Sequence, residues 1–183
     1  DFGIAKVLDP GLDSATTIQT GMTPRYASPE QLLGKPVTIS SDIYSLGVVL
    51  FELLSNGVHP FVTPDQSLGS FVDAVLHRDP RRLSQVAPVD RDLEFIAAKA
   101  ISRETRFRYE TVGELRQDIE NHLSGLPVRA RPASWRYRAM KFAARNRTLV
   151  ALAAGLAIAV GAGVGATVRA YRVADRERAA AVK

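Results

Sequence analysis

The chain opens on a carboxylate, Asp1, followed by Phe2 and Gly3. Carboxylate oxygen is the ligand a hard dication prefers, and a glycine lets the next stretch of backbone turn freely. The plainer alternative is an acid that caps a loop. Ser14, Thr16, Thr17 and Thr20 follow, hydroxyls that suit either a modified loop or a merely solvated one. Other chemistries are excluded early. No cysteine is present, so thiolate metal sites, disulfides and a cysteine nucleophile are ruled out. His59, His77 and His122 are scattered along the chain, which argues against a histidine metal site.

The elements that must hold these residues read as mainly helical. Residues 1–30 show no helical period and are dense in Asp, Thr, Ser, Gly and Pro, as in a long functional loop. Ser28-Pro29-Glu30 then predicts a short helix ending by Gly34. Ser41-Asp42 is expected to cap a longer helix that stops at Asn56-Gly57. Its apolar residues cover nearly every face, so the pattern predicts a helix in the middle of a domain. Further helices are predicted over 65–77, 90–102 and 110–123, the last with Thr111 as its cap. Ser124-Gly125-Leu126-Pro127 is a helix stop and marks the expected domain break.

Charge divides at the same place. Residues 1–128 carry 12 Lys and Arg against 17 Asp and Glu, a balance of −5. Residues 129–183 carry 12 against two, a balance of +10. The sequence pI near 9.8 therefore averages an acidic globular part and a basic tail. Nucleic-acid binding by the acidic part is not expected.

Positions 148–168, TLVALAAGLAIAVGAGVGATV, run 21 residues without charge or proline. About 20 helical residues cross a hydrocarbon core, so one transmembrane helix is expected. Seven basic residues closely precede it and five follow, which favours a cytoplasmic N-terminal side. Trp135 and Tyr137, among the preceding arginines, suit either an interfacial helix on anionic headgroups or a solvated linker. Gly161 and Gly165 give a GxxxG spacing through which two copies could form a homodimer.

Four motifs stand in order: Asp1-Phe2-Gly3, then Met22-Thr23-Pro24-Arg25-Tyr26-Ala27-Ser28-Pro29-Glu30, then Ser41-Asp42-Ile43-Tyr44-Ser45-Leu46-Gly47, then Arg106-Phe107-Arg108-Tyr109. This set resembles the second half of a protein-kinase domain, as found in bacterial eukaryotic-type serine/threonine kinases anchored by one membrane helix. The resemblance covers roughly residues 1–124. It implies a mainly α fold: the helical C-terminal lobe of a protein kinase, as a partial domain, plus one transmembrane helix. Residues 1–30 would be the activation segment and 30–124 the helical lobe. A basic juxtamembrane linker over 125–147, the span over 148–168 and the start of an extracytoplasmic segment over 169–183 complete the expected layout. The implied location is the cell inner membrane, with the kinase part cytoplasmic.

The same resemblance assigns roles. Asp1 would hold Mg²⁺ against the ATP phosphates, with Phe2 and Gly3 completing that cofactor contact. Thr23, Pro24 and Tyr26 match the segment that positions a protein substrate presenting Ser or Thr. Glu30 would pair with a late arginine, Arg108 fitting best and Arg106 second; such a pair, if buried, is costly to break. Asp42, grouped with Glu30 and Arg108 as part of the structural clamp, matches a residue that receives backbone N–H groups of the catalytic loop. Ser14, Thr16, Thr17 and Thr20 become activation-loop phosphorylation candidates. The glycine-rich loop, the ATP lysine and the catalytic base are not in these residues, so the chain is expected to be part of a longer kinase and inactive alone. The alternative is a pseudokinase-like signalling scaffold beside the membrane.

Overall fold

The computed structural model describes residues 24–61, 63 and 67–181. Asp1, Phe2, Gly3, Ser14, Thr16, Thr17, Thr20 and Thr23 lie outside the described residues. The chain forms two compact units, the first ending at Ala133 and the second beginning at Ser134. Among the described residues there are helices and turns but no strand.

In the first unit a tight turn over Pro24–Tyr26 leads into α1, Pro29–Leu32. Gln31 reaches back to cap it, Oε1 accepting from the N–H of Ser28 at 2.8 Å and from its hydroxyl at 3.0 Å. Helix α2 spans Ile39–Leu54. It starts earlier than the expected cap at Ser41-Asp42, because Thr38 already stands in extended backbone with a free hydroxyl. Thr38 Oγ1 accepts from the Ser40 N–H at 3.3 Å, and Ser41 Oγ accepts from the Thr38 N–H at 3.3 Å. The helix ends where Asn56 and Gly57 take φ of 57° and 89°, and the Gly57 N–H closes on Glu52 O at 2.7 Å.

Helices α3 (Leu68–His77), α4 (Arg91–Ala100) and α5 (Val112–Leu123) follow. Ser67, Asp90 and Thr111 cap them, each accepting a backbone N–H with its side chain. One apolar cluster joins Tyr44, Val48 and Phe51 of α2 to Ala74, Val75, Leu83, Ala97 and Ile101. A second joins Ile43 to Ile96, Ala100, Tyr109, Leu115 and Val128. Helix α2 thus serves both clusters, and α4 is its main neighbour.

The expectation that α2 is buried all round is corrected here. Ile39, Leu46, Val49 and Leu53 are exposed, Leu53 at 75%. They recur at i, i+7, i+10 and i+14, a single stripe, and Asp42 lies exposed on the same stripe. The described elements pack on the other side of α2, so this stripe has nothing to cover it within the described residues.

The compact unit also continues past the break expected at Ser124–Pro127. Gly125, at φ 68°, does end α5, with the Leu126 N–H on Asn121 O at 2.7 Å. The chain then docks back onto the lobe. Buried Asp118 accepts the N–H groups of Arg129 and Ala130 at 2.7 and 2.8 Å and the Tyr109 hydroxyl at 2.9 Å. Arg131 donates to buried Asp92 at 3.0 Å, and Val128 fills the second cluster. The first part of the basic stretch is therefore a strap fixed by two buried acids.

In the second unit Ser134 caps α6, Trp135–Arg145, its hydroxyl accepting from the Tyr137 N–H at 3.1 Å. Asn146 interrupts the helix, and α7 spans Arg147–Ala181. Within α7, Arg147–Arg172 is long and apolar enough to cross a membrane.

Gly47 sets the closest approach of α2 to α4. A Cβ there would sit 2.6 Å from Ala100 Cβ and 2.9 Å from Ile101 Cγ2. Neither neighbour has a flexible end to move aside. Gly47→Ala is expected to cost roughly 1–3 kcal/mol by overpacking, read by urea titration of the full chain in mild detergent with circular dichroism. Gly69→Ala, at a helical position with open space around it, is expected to be neutral or stabilising. Equal effects of the two would remove Gly47 as the close-contact point.

Candidate functional site

Glu30 and Arg108 meet in a buried two-pronged pair. The Arg108 guanidinium donates to Glu30 Oε1 at 2.7 Å and to Oε2 at 2.9 Å. The Arg108 side chain is 0% exposed and that of Glu30 10%. A charge taken out of water must have its remaining hydrogen bonds made, and these are. Arg108 also donates to the carbonyls of Ser40 at 2.8 Å, Ser102 at 2.7 Å and Arg103 at 3.2 Å. Ser41 adds a hydroxyl donor to Glu30 Oε1 at 2.7 Å. The guanidinium lies over the Tyr44 ring, 4.8 Å from its centroid. One side chain therefore ties α1, the start of α2 and the turn after α4 together.

Burial pushes the Glu30 pKa up, but the hydrogen bonds from Arg108 and Ser41 outweigh it and hold the carboxyl at about 2. Burial alone dominates at Tyr44, whose phenol is pushed well above its ordinary value. Arg106, the second candidate for the pair, instead contacts Glu104 at the surface, at 2.6 Å. Asp42, grouped with Glu30 and Arg108 in the sequence reading, is not in this cluster. It sits exposed in the first turn of α2; Ser41, one residue earlier, faces the pair because a helix turns about 100° per residue.

The Pro24–Tyr26 turn is anchored at three points. Glu52 accepts from the Tyr26 hydroxyl at 3.0 Å and from the Arg25 guanidinium at 2.9 and 2.6 Å. Its hydrogen bond raises the pKa of both Tyr26 and Arg25. Ser45 donates its hydroxyl to Tyr26 O at 2.8 Å. Buried His59 bridges the turn to the loop after α2, with Nε2 2.8 Å from Arg25 O and Nδ1 2.9 Å from Phe61 O. The turn is thus held rigidly against α2 (through Ser45 and Glu52) by side chains that leave its outer face to solvent.

Sequence reading assigned His59 no chemistry and did not single out Glu52, Asp92 or Asp118. For Glu52 the signal was present: it lies one helical turn beyond Val48 and two beyond Ser45, on the side that faces the turn. His122, expected to stand apart, lies 3.9 Å from Asp90 and 4.0 Å from Asp92. Arg131 shares that acid, so the group reads as packing between α4, α5 and the strap.

These features fall in a chain whose residues 1–106 match the protein kinase domain. The chain belongs to the protein kinase family. It is 36% identical over 135 residues to a probable serine/threonine-protein kinase of Streptomyces coelicolor, covering 73% of this chain and 20% of that protein. It is 37% identical over 134 residues to serine/threonine-protein kinase PknB of Mycobacterium leprae, covering 71% and 21%. With serine/threonine-protein kinase PknD of Chlamydia felis the identity is 35% over 105 residues, covering 57% and 11%. The matched stretch spans about a fifth or less of each of these relatives.

The clamp gives a pH-dependent prediction. The Glu30 carboxyl has a folded pKa below its ordinary 4.5, so its stabilisation is complete above about 4.5 and is lost as pH falls toward 2. Glu30→Gln leaves Arg108 buried without a counter-charge and is expected to cost about 3–5 kcal/mol at pH 7. The stability gap between wild type and variant should narrow steadily from pH 5 to pH 3. A gap independent of pH would show that Glu30 is not held ionised by Arg108.

Proposed function

We propose that this chain is the C-terminal part of a membrane-anchored serine/threonine protein kinase. The parent enzyme transfers the γ-phosphoryl group of ATP to Ser or Thr hydroxyls of proteins. The observation that carries this reading is the Glu30–Arg108 clamp directly behind an anchored Pro24–Tyr26 turn, in a chain that belongs to the kinase family. Phosphoryl transfer depends on positioning and electrostatics more than on covalent help from the protein. A turn pinned by Glu52, Ser45 and His59 offers a fixed backbone edge against which an acceptor peptide can lie. In this reading Thr23, Pro24 and Tyr26 position that peptide, and the clamp keeps their base from shifting.

ATP and Mg²⁺ belong to the same proposal, with Asp1 as the metal ligand and Phe2 and Gly3 beside it. Those residues lie outside the described ones. When bound, Mg²⁺ would neutralise charge on the phosphates. Ser14, Thr16, Thr17 and Thr20 are proposed as activation-loop phosphorylation sites.

The uncovered α2 stripe supports a larger domain. Ile39, Leu46, Val49 and Leu53 are exposed, and a contiguous apolar patch of this kind marks a surface that packs against something. In the proposed enzyme the upstream part of the kinase domain covers it, and Asp42 accepts backbone N–H groups from the catalytic loop. The apolar stretch Arg147–Arg172 is proposed as a single span in the cell inner membrane, with the kinase part cytoplasmic. Gly161 and Gly165 offer the surface for a homodimer.

In the full-length protein, Asp1→Asn is expected to abolish autophosphorylation while leaving the folded lobe intact by circular dichroism. Phosphoamino-acid analysis of the wild type should give phosphoserine or phosphothreonine. Residues 1–183 alone are expected to show no Mg-ATP turnover. Undiminished activity in Asp1→Asn would remove Asp1 from the metal site, and a full-length protein without any transfer would favour the scaffold reading.

A further inference from the structure

Helix α6 carries two faces that the kinase reading does not use. Trp135, Ala139 and Phe142 stand at i, i+4 and i+7 on one stripe. All three are exposed, Trp135 at 75% and Phe142 at 55%. Tyr137 points the opposite way and is 4% exposed. The helix therefore buries one aromatic and presents two others outward.

Basic residues border the outward stripe on both edges. Arg138 and Arg145 stand seven apart along one edge, with Lys141 beyond them toward Tyr137, its Nζ 5.9 Å from that ring's centroid, and Arg136 stands on the other, stacked by the Trp135 ring at 5.5 Å. Arg136, Arg138 and Arg145 have no acidic partner among the described residues. No acid occurs in the sequence between Glu120 and Asp175. Soluble surface helices usually intersperse both signs, and this one does not.

A partner for this face must accept apolar side chains in its body and cations at its rim. We propose that α6 lies on the bilayer surface and binds anionic phospholipid headgroups. Trp135 and Phe142 enter the boundary between headgroups and acyl chains, while Arg136, Arg138 and Arg145 extend their aliphatic stems alongside and place their charges among phosphates. The placement of α6 in the chain supplies the continuity: only Asn146 separates it from Arg147–Arg172, the apolar stretch. The inference rests on the reading of that stretch as a span. The break at Asn146, where φ is −112° and ψ 45°, frees α6 from continuing the span's direction.

Trp135 is the one tryptophan of the chain, so intrinsic fluorescence reports on α6 alone. The full chain is reconstituted in nanodiscs of phosphatidylcholine, with or without phosphatidylglycerol, each prepared with and without lipid brominated near the headgroup. Blue-shifted emission and bromine quenching are expected in the phosphatidylglycerol discs and much less in phosphatidylcholine alone. The double variant Arg138→Gln, Arg145→Gln should lose most of that dependence on anionic lipid while keeping its helix content. Carbonate extraction from vesicles tests the span separately. A chain that resists extraction yet shows solvent-like, unquenched Trp135 on anionic lipid keeps the span and overturns the inference. A chain that is extracted but still shows quenched Trp135 loses the span and keeps α6 on the headgroups. Equal quenching on neutral and anionic lipid overturns the headgroup specificity. A shift without quenching that grows with copies per disc assigns the face to a second copy and overturns the proposal.

Discussion

The first unit depends on a single desolvated charge. Arg108 arrives late in the chain, after four helices, yet it reaches back to Glu30 and to the carbonyl of Ser40. Beside it, the Ser41 hydroxyl at the start of α2 gives Glu30 its other side-chain donor. A guanidinium suits this position better than an ammonium, because its planar fork makes two parallel bonds to one carboxylate and still has donors for three carbonyls. The cost of removing it from water is met only when all of these partners are present together. The clamp therefore acts as a test of completeness: a partly assembled lobe cannot hold Arg108 buried.

The Pro24–Tyr26 turn follows from that arrangement. Its anchors on α2, Ser45 and Glu52, share the helix whose first turn Arg108 secures, and His59 closes the far side from the loop after α2. A surface that must present fixed backbone to another chain is best built on rigid elements with supported side chains. Here the support comes from polar groups at the edge of the first apolar cluster, against which Tyr26 also packs.

Much of this was legible in the sequence, and the reasons are local. Ser28-Pro29, Asp90 and Thr111 announce helix starts through short-range hydrogen bonding, and Asn56-Gly57 and Gly125 announce stops through positive φ. The Glu30–Arg108 partnership came from resemblance rather than pattern, since nothing local links residues so far apart. Asp118 and Asp92 were read only as part of a charge balance. Their burial depends on the returning strap, whose backbone N–H groups no composition count reveals. The exposed side of α2 was not legible for a related reason: periodicity reports how apolar a face is, not whether the neighbour that covers it lies among the described residues.

The strap over 128–131 also shortens the leash. Because the first unit runs as far as Ala133, only residues 134–146 lie in sequence between it and the apolar helix, and 11 of them are wound into α6. At about 1.5 Å per helical residue the wound part extends roughly 16 Å. Under the membrane reading, a lobe on so short a connection would be confined to a thin shell beside the bilayer. Targets held in that shell would be met at high effective concentration, and those free in solution rarely. Selection by neighbourhood would then precede any selection by the sequence around the acceptor hydroxyl.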